Sequence, residues 1–242
     1  MSGHSKWAQI KRQKGVNDTK RGLAFTKLST AITVAVKQGG GIGDPDQNFK
    51  LRLAIDAARA QNMPKENIQR AIEKGLGKSE TMIDEVTYEG FGPDAVAVMV
   101  EAATDNRNRT TSEVANIFNK NGGSMGQPGS VSYLFQPLGR IIIEKTKSLD
   151  DIFLFAADSG AEDVEEVEGE FFIYTKPALL KSVSDKFSKE GYHLKEVEII
   201  QKPISPIYFD DIDKASKIIN FIEKMEENDD VQKVYANFEI KN

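Results

Sequence analysis

The stretch Gly139 to Lys202, GRIIIEKTKSLDDIFLFAADSGAEDVEEVEGEFFIYTKPALLKSVSDKFSKEGYHLKEVEIIQK, decides how the rest of the chain divides. GRIIIEKT is a strand by its β-branched run, Leu149 to Ala157 a helix, and AEDVEEVEG with EFFIYTK a hairpin around Gly169. Leu179 to Lys189 is a second helix and HLKEVEIIQK a last strand. That order is βαββαβ, the ferredoxin-like split βαβ plan, and it can close a core by itself. Whatever flanks it must find a core elsewhere.

Beyond Pro206 there remain one helix, Ile212 to Glu227, with Ala215, Ile218, Ile219 and Ile222 on one face, and one strand, DVQKVYANFEI. Two elements cannot bury each other. Before the unit, DEVTYEGFG and AVAVMVEAA read as strands joined across Gly92-Pro93. Thr110 to Lys120 reads as a helix closed by Asn121-Gly122-Gly123, and GSVSYLFQ alternates like a half-buried strand. Together the flanking pieces give a second α+β sheet into which the first unit is inserted.

The first 78 residues follow a different period. Apolar Ala24, Leu28, Ala31, Ile32, Ala35 and Val36 lie on one helical face after Asn17 or Asp18, until Gly39, Gly40 and Gly41 stop the helix. A second helix follows Asp44-Pro45, carrying Phe49, Leu53, Ala57 and Ala58 toward Asn62. A third opens at Pro64, runs through Ile68, Ala71 and Ile72, and ends at Gly75. The expected fold is therefore α+β in three domains: an all-helical 1–78, a discontinuous α+β domain of 79–136 plus 206–242, and an inserted ferredoxin-like acidic domain at 137–205.

Charge follows this division. The 242-residue chain carries a net −5. Residues 1–78 hold 15 Lys/Arg against 6 Asp/Glu, a balance of +9, and the remainder holds 17 against 31, a balance of −14. One end is built to attract polyanions and the other to repel them. No apolar run reaches the roughly 18 residues of a membrane helix, and the basic N-terminus lacks the apolar region of a secretion signal. The absence of cysteine excludes disulfides and thiol chemistry and suits a reducing compartment, so a cytoplasmic location is expected.

Little in the sequence points to catalysis. His4 and His193 are far apart with no neighbour at a metal-ligand spacing, so no metal and no cofactor is expected. GGGIGD at 39–44 follows a helix rather than a strand and lacks the Lys-Ser/Thr ending of a phosphate loop. The one polar cluster between a strand end and a helix start is TDNRNRTTSE, Thr104 to Glu113. Arg107 and Arg109 there make a candidate anion site, set against the plainer reading of Asn106 and its neighbours as turn and cap residues. A non-enzyme is expected.

The basic N-terminal segment is the strongest functional signal. MSGHSKWAQIKRQKGVNDTKRG, continued to Lys27, places Lys6, Lys11, Arg12, Lys14, Lys20, Arg21 and Lys27 within 22 residues against one acid, Asp18. Lysine and arginine at that density displace counterions from a nucleic-acid backbone. Lys20 and Lys27 share a helical face. Trp7 and Phe25 offer stacking surfaces for unpaired bases, weighed against packing roles within the helical domain. A membrane contact would need large apolar residues opposite the charge, and the segment has few. The expected partner is nucleic acid.

The strings GHSKWAQIKRQKGVNDTKRG, LSTAITVAVKQGGG, IDAARAQNMPKENIQRAIEKG, YEGFGPDAVAVMVEAATDNRNRT, GGSMGQPGSVSYLF and DDVQKVYANFE, in that order from Ser2 to Glu239, resemble the YebC/PmpR family, which includes mitochondrial translational activators of cytochrome c oxidase subunit I. The resemblance implies a helical domain followed by two α+β domains. It also implies a DNA-binding transcriptional regulator, with a ribosome-associated, rRNA-binding translation factor as the alternative, and places nucleic-acid contact in the basic N-terminal stretch. The stretch is expected to have no mitochondrial leader before it, which favours the bacterial branch. Residues 150–170, with nine acids and no Lys or Arg, are expected to stay off phosphate and to face either solvent or a basic protein partner.

Overall fold

The computed structural model describes residues 18–78, 83–167, 169–210 and 212–240, including the side chains of all of these but 18–21, 78 and 212–214. Three helices open it: α1 (Asp18–Gln38), α2 (Phe49–Ala60) and α3 (Lys65–Glu73), the last running into a π-helical turn at Lys74–Lys78. Their inward faces form one core of Ile32, Ala35, Val36, Leu51, Ile55, Ala58, Met63, Ile68, Ala71 and Ile72. Gly40 and Gly41, both at positive φ, end α1 as the glycine run predicts. Asn48 restarts the chain: its side chain accepts from the Leu51 N–H and donates to the carbonyls of Ala35 and Ile42. Gly75 lets the π-turn lie against α1, because a Cβ there would stand 2.6 Å from Val36 Cβ and 2.9 Å from the Thr33 carbonyl.

The next sheet is built from strands at both ends of the remaining chain. β1 (Asp84–Phe91) pairs antiparallel with β2 (Ala97–Thr104) and with the two-residue β3 (Ser124–Met125), and β2 pairs antiparallel with β9 (Val231–Ala236). Helices α4 (Arg107–Lys120) and α7 (Ile212–Glu226) cover one face. There Val114 and Phe118 of α4 meet Ala215, Ile218, Phe221, Ile222 and Met225 of α7 over Val98, Val100, Val231 and Val234. Phe118 and Phe221 pack edge to face with centroids 5.2 Å apart, the geometry aromatic quadrupoles prefer.

Between β3 and β9 lies the second sheet, in the order β5-β6-β4-β7, antiparallel throughout. It comprises β4 (Phe135–Glu144), β5 (Asp163–Val167), β6 (Glu170–Thr175) and β7 (Leu194–Pro203), with α5 (Leu149–Ser159) and α6 (Leu180–Lys189) on one face. This is the ferredoxin-like arrangement, inserted in the other domain. Its two central strands, β4 and β6, alternate. Ile141, Ile143, Phe171 and Ile173 face the helices, whereas Leu138, Ile142, Phe172, Tyr174 and Ile200 point the other way, toward Tyr235 of β9.

Three expectations need correction. GSVSYLFQ is not a strand from its start: a 3₁₀ turn at Ser132–Leu134 precedes β4, because Glu89 gathers the backbone N–H groups of Gly129, Val131 and Ser132 and bends the chain there. DVQKVYANFEI is not one strand. Asn237 breaks it by accepting from Ala97 N–H through its side chain, and β10 (Phe238–Ile240) leaves to pair in parallel with β8 (Ile207–Phe209). Helix α4 begins one turn before Thr110, at Arg107.

Candidate nucleic-acid interface

The helical domain presents its cations on the outside of α2 and α3 and their connections. Lys50, Arg59, Lys65 and Arg70 are exposed. The two arginines have partners close in sequence. Arg59 lies 3.5 Å from Asp56 and Arg70 3.6 Å from Glu66, pairs one helical turn apart in which every side chain stands in solvent. Such pairs contribute tenths of a kcal/mol, so a phosphate can compete for either arginine at little cost. Arg52 lies over the Phe49 ring, 5.4 Å from its centroid.

Of the residues the sequence singles out, Lys6, Trp7, Lys11, Arg12 and Lys14 lie outside the described residues. Lys20 and Arg21 fall in the first turn of α1. Lys27, two turns further on, donates its Nζ to the carbonyl of Glu226, the last residue of α7. A helix C-terminus carries partial negative charge and unpaired carbonyls, so it attracts a lysine. Lys27 thus ties the helical domain to the discontinuous one. Phe25 is half-buried and packs against the helical core rather than standing out as a stacking platform.

Arg107 and Arg109 are not brought together on a common target. Asn106 caps α4, accepting from the Arg109 N–H at 3.1 Å. Arg109 donates to Asp230 at 2.7 Å and to Asp105 at 3.0 Å, while Arg107 is exposed. Asp230 also accepts from Thr104 at 3.0 Å and Thr110 at 2.7 Å. Burial alone would raise the Asp230 pKa, but Arg109 and the two threonine hydroxyls hold it below the ordinary carboxylate value. An incoming anion would have to displace a carboxylate from Arg109, so the cluster serves as a clasp between α4 and the start of β9.

Two charged constellations gave no signal in the sequence. The first is Glu89, buried in β1, whose carboxylate accepts from Gly129, Val131 and Ser132, each at 2.8 Å. Burial pushes its pKa up, yet the backbone donors outweigh burial and hold it low. The second lies between the two sheets. Arg140 of β4 pairs with Glu198 and Glu196 of β7, and Lys233 of β9 reaches Glu198 at 2.7 Å and the Ile199 carbonyl at 3.1 Å. Burial would raise the Glu198 pKa, but Lys233 and Arg140 depress it. The Glu101 carboxyl on the same face of β2 goes the other way, raised by burial more than Lys233 lowers it. Their partners stand 34 to 58 residues apart, too far for spacing to reveal.

One cavity lies apart from these. A shallow cavity of about 280 Å³ is lined by Glu144, Thr146, Lys147, Glu190, Tyr192 and His193, with the Lys147 ammonium 4.9 Å from the Tyr192 ring centroid. Among the described residues no group of three or more His, Asp or Glu is placed to hold a metal ion, and no helix is long and apolar enough to cross a membrane.

Comparison with known proteins fits this picture. Residues 5–78 match the family described as TACO1/YebC protein N-terminal domain, and residues 83–238 match TACO1/YebC second and third domain. A protein of Chloroflexus aurantiacus named "Probable transcriptional regulatory protein" is 50% identical over 244 residues, covering 99% of this chain and 96% of its own. A protein of Caldanaerobacter subterraneus with the same description is 47% identical over 246 residues, covering 100% and 99%. The crystal structure of a conserved hypothetical protein from Aquifex aeolicus superposes with a TM-score of 0.84 at 46% identity, covering 93% of each chain. With both family matches in register with the helical head and the two sheets behind it, the chain belongs to the TACO1/YebC family, called YebC/PmpR above.

Proposed function

We propose that the protein is a cytoplasmic regulator of gene expression that binds nucleic acid, most simply a DNA-binding transcriptional regulator, and is not an enzyme. The observation that carries this reading is the separation of charge, +9 in residues 1–78 against −14 beyond them. Contact runs through Lys6, Lys11, Arg12, Lys14, Lys20 and Arg21, with the exposed cations of α2 and α3 extending the positive surface. Each phosphate contact releases condensed counterions, so affinity comes from entropy and falls with salt. The names of the relatives support a regulatory role. On this reading the domains are 1–78, 79–136 with 206–242, and 137–205, the first gripping and the other two holding it in place. Lys27 supports that division of labour by fixing α1 to the end of α7.

Crosslinking in cells, followed by sequencing of the recovered nucleic acid, tests the assignment. Chromosomal fragments are expected. Recovery of ribosomal RNA instead would replace transcription with a ribosome-bound role, and recovery of neither above background would remove the proposal.

A further inference from the structure

Helix α5 is apolar on two sides. Ile152, Ala156 and Ser159 are buried against the second sheet. Away from that buried line, beginning at its edge, Leu149 is 40% exposed, Phe153 50% and Leu154 65%, and Leu179, at the C-terminal end of the helix beside Gly160, is 41% exposed. Leu149, Phe153 and Ala157 follow one another at i, i+4 and i+8, so they form a continuous strip rather than scattered residues. Single exposed apolar residues are ordinary. Three large ones exposed on one short helix, Leu149 and Phe153 on the strip and Leu154 beside it, mark a contact surface.

Charge around the strip specifies what it fits. In the acidic run 150–170, three of the acids on the strands are already neutralised: Glu165 by Lys202 at 3.0 Å, Glu166 by Lys145, and Glu170 by Lys195 at 3.1 Å. Glu162, just beyond the helix, has Lys176 at 3.9 Å. The helix acids are different. Asp150 and Asp158 are exposed and have no ion pair among the described residues, and Asp151 accepts from the Ser148 hydroxyl, donates its own N–H back to that oxygen, and feels Lys147 through space. No Lys or Arg occurs from 148 to 175. The unneutralised carboxylates therefore border the apolar strip. A nucleic acid is repelled by them, and a second copy would set carboxylate against carboxylate.

We propose that this face of α5 docks a basic, amphipathic helical segment of a partner protein, whose apolar residues cover Phe153 and Leu154 while its lysines or arginines meet Asp150 and Asp158. The mode is helix against an apolar strip, with charge fixing the orientation. It is independent of the nucleic-acid reading above.

The test uses the full chain and a defined probe: a peptide of about 18 lysines and leucines with leucine at i, i+3, i+4 and i+7, beside a scrambled peptide of the same composition. The patterned peptide should bind at least about tenfold more tightly, a difference of about 1.4 kcal/mol. Phe153→Ser with Leu154→Ser should abolish that preference, and Asp150→Asn with Asp158→Asn should weaken binding and flatten its salt dependence. These side chains are exposed, so far-UV circular dichroism and the urea midpoint should stay unchanged, and Leu154→Ser alone serves as a milder variant. Equal binding of the two peptides, or unaltered binding by the serine variant, overturns the proposal. So does a concentration-dependent dimer lost in the serine variant, which assigns the strip to a second copy. Tenfold stronger peptide binding in Lys11→Glu/Arg12→Glu/Lys14→Glu assigns it to the chain's own N-terminus.

Discussion

The helical head and the paired sheets behind it handle charge in opposite ways. On the head, Arg59 and Arg70 find partners one helical turn away, both members in solvent. In the sheets, Arg140, Glu198 and Lys233 interlock across three strands, and Glu89 and Asp230 each collect several donors from distant segments. The difference teaches which charges are spoken for. Sheet charges hold segments together, whereas Arg59 and Arg70 on the head are held by nothing that a phosphate could not replace.

The contrast is broken most forcefully at Arg140. Arg140→Met leaves Glu198 with Lys233 as its remaining ion-pair partner among the described residues, and urea unfolding should show a loss of about 3 kcal/mol, the low end for breaking a buried pair because one cation remains. Nucleic-acid affinity should not change. Glu89→Gln should cost about 2 kcal/mol, since three backbone N–H groups lose a charged acceptor and the 124–132 loop loses its anchor.

Acid sharpens the same comparison. Glu198, Glu89 and Asp230 all have folded pKa values below their ordinary ones, so each contributes stability at neutral pH that is lost as pH falls through its folded value. Glu101, shifted upward, contributes in the opposite sense, and three such groups outweigh one. The urea midpoint should therefore drop between about pH 5 and about pH 3, and less steeply in Arg140→Met, where Glu198 has lost one of the two cations that depress it. A midpoint independent of pH over that range would show that these carboxylates are not held as described. The smallest effect belongs to the head: Arg59→Gln and Arg70→Gln should each change stability by less than about 0.5 kcal/mol.

The three-helix head, the βαββαβ insertion and the return of the last helix and strand to the earlier sheet were all legible, because each rests on local periodicity and on whether a segment can bury its own apolar face. What was hidden depends on contacts between distant residues. Arg109 reads as an anion site until Asp230, 121 positions away, is seen to occupy it. Lys27 reads as a phosphate ligand until Glu226, 199 positions away, takes its ammonium. DVQKVYANFEI looks like one strand until the Asn237 side chain caps Ala97 and turns the chain out of the sheet. The acidic run likewise reads as uniform, and only the fold separates the paired Glu165, Glu166 and Glu170 on the strands from the open Asp150 and Asp158 on the helix.

The most direct test is the salt dependence of full-length binding to duplex DNA and to an rRNA fragment. Lys11→Glu/Arg12→Glu/Lys14→Glu should weaken affinity on the order of 100-fold and reduce the slope of log K against log salt by about 3, while Asp150→Asn/Asp158→Asn leaves both unchanged. Equal losses from the two variants, or an affinity indifferent to salt, would contradict a head that grips phosphate and sheets that do not.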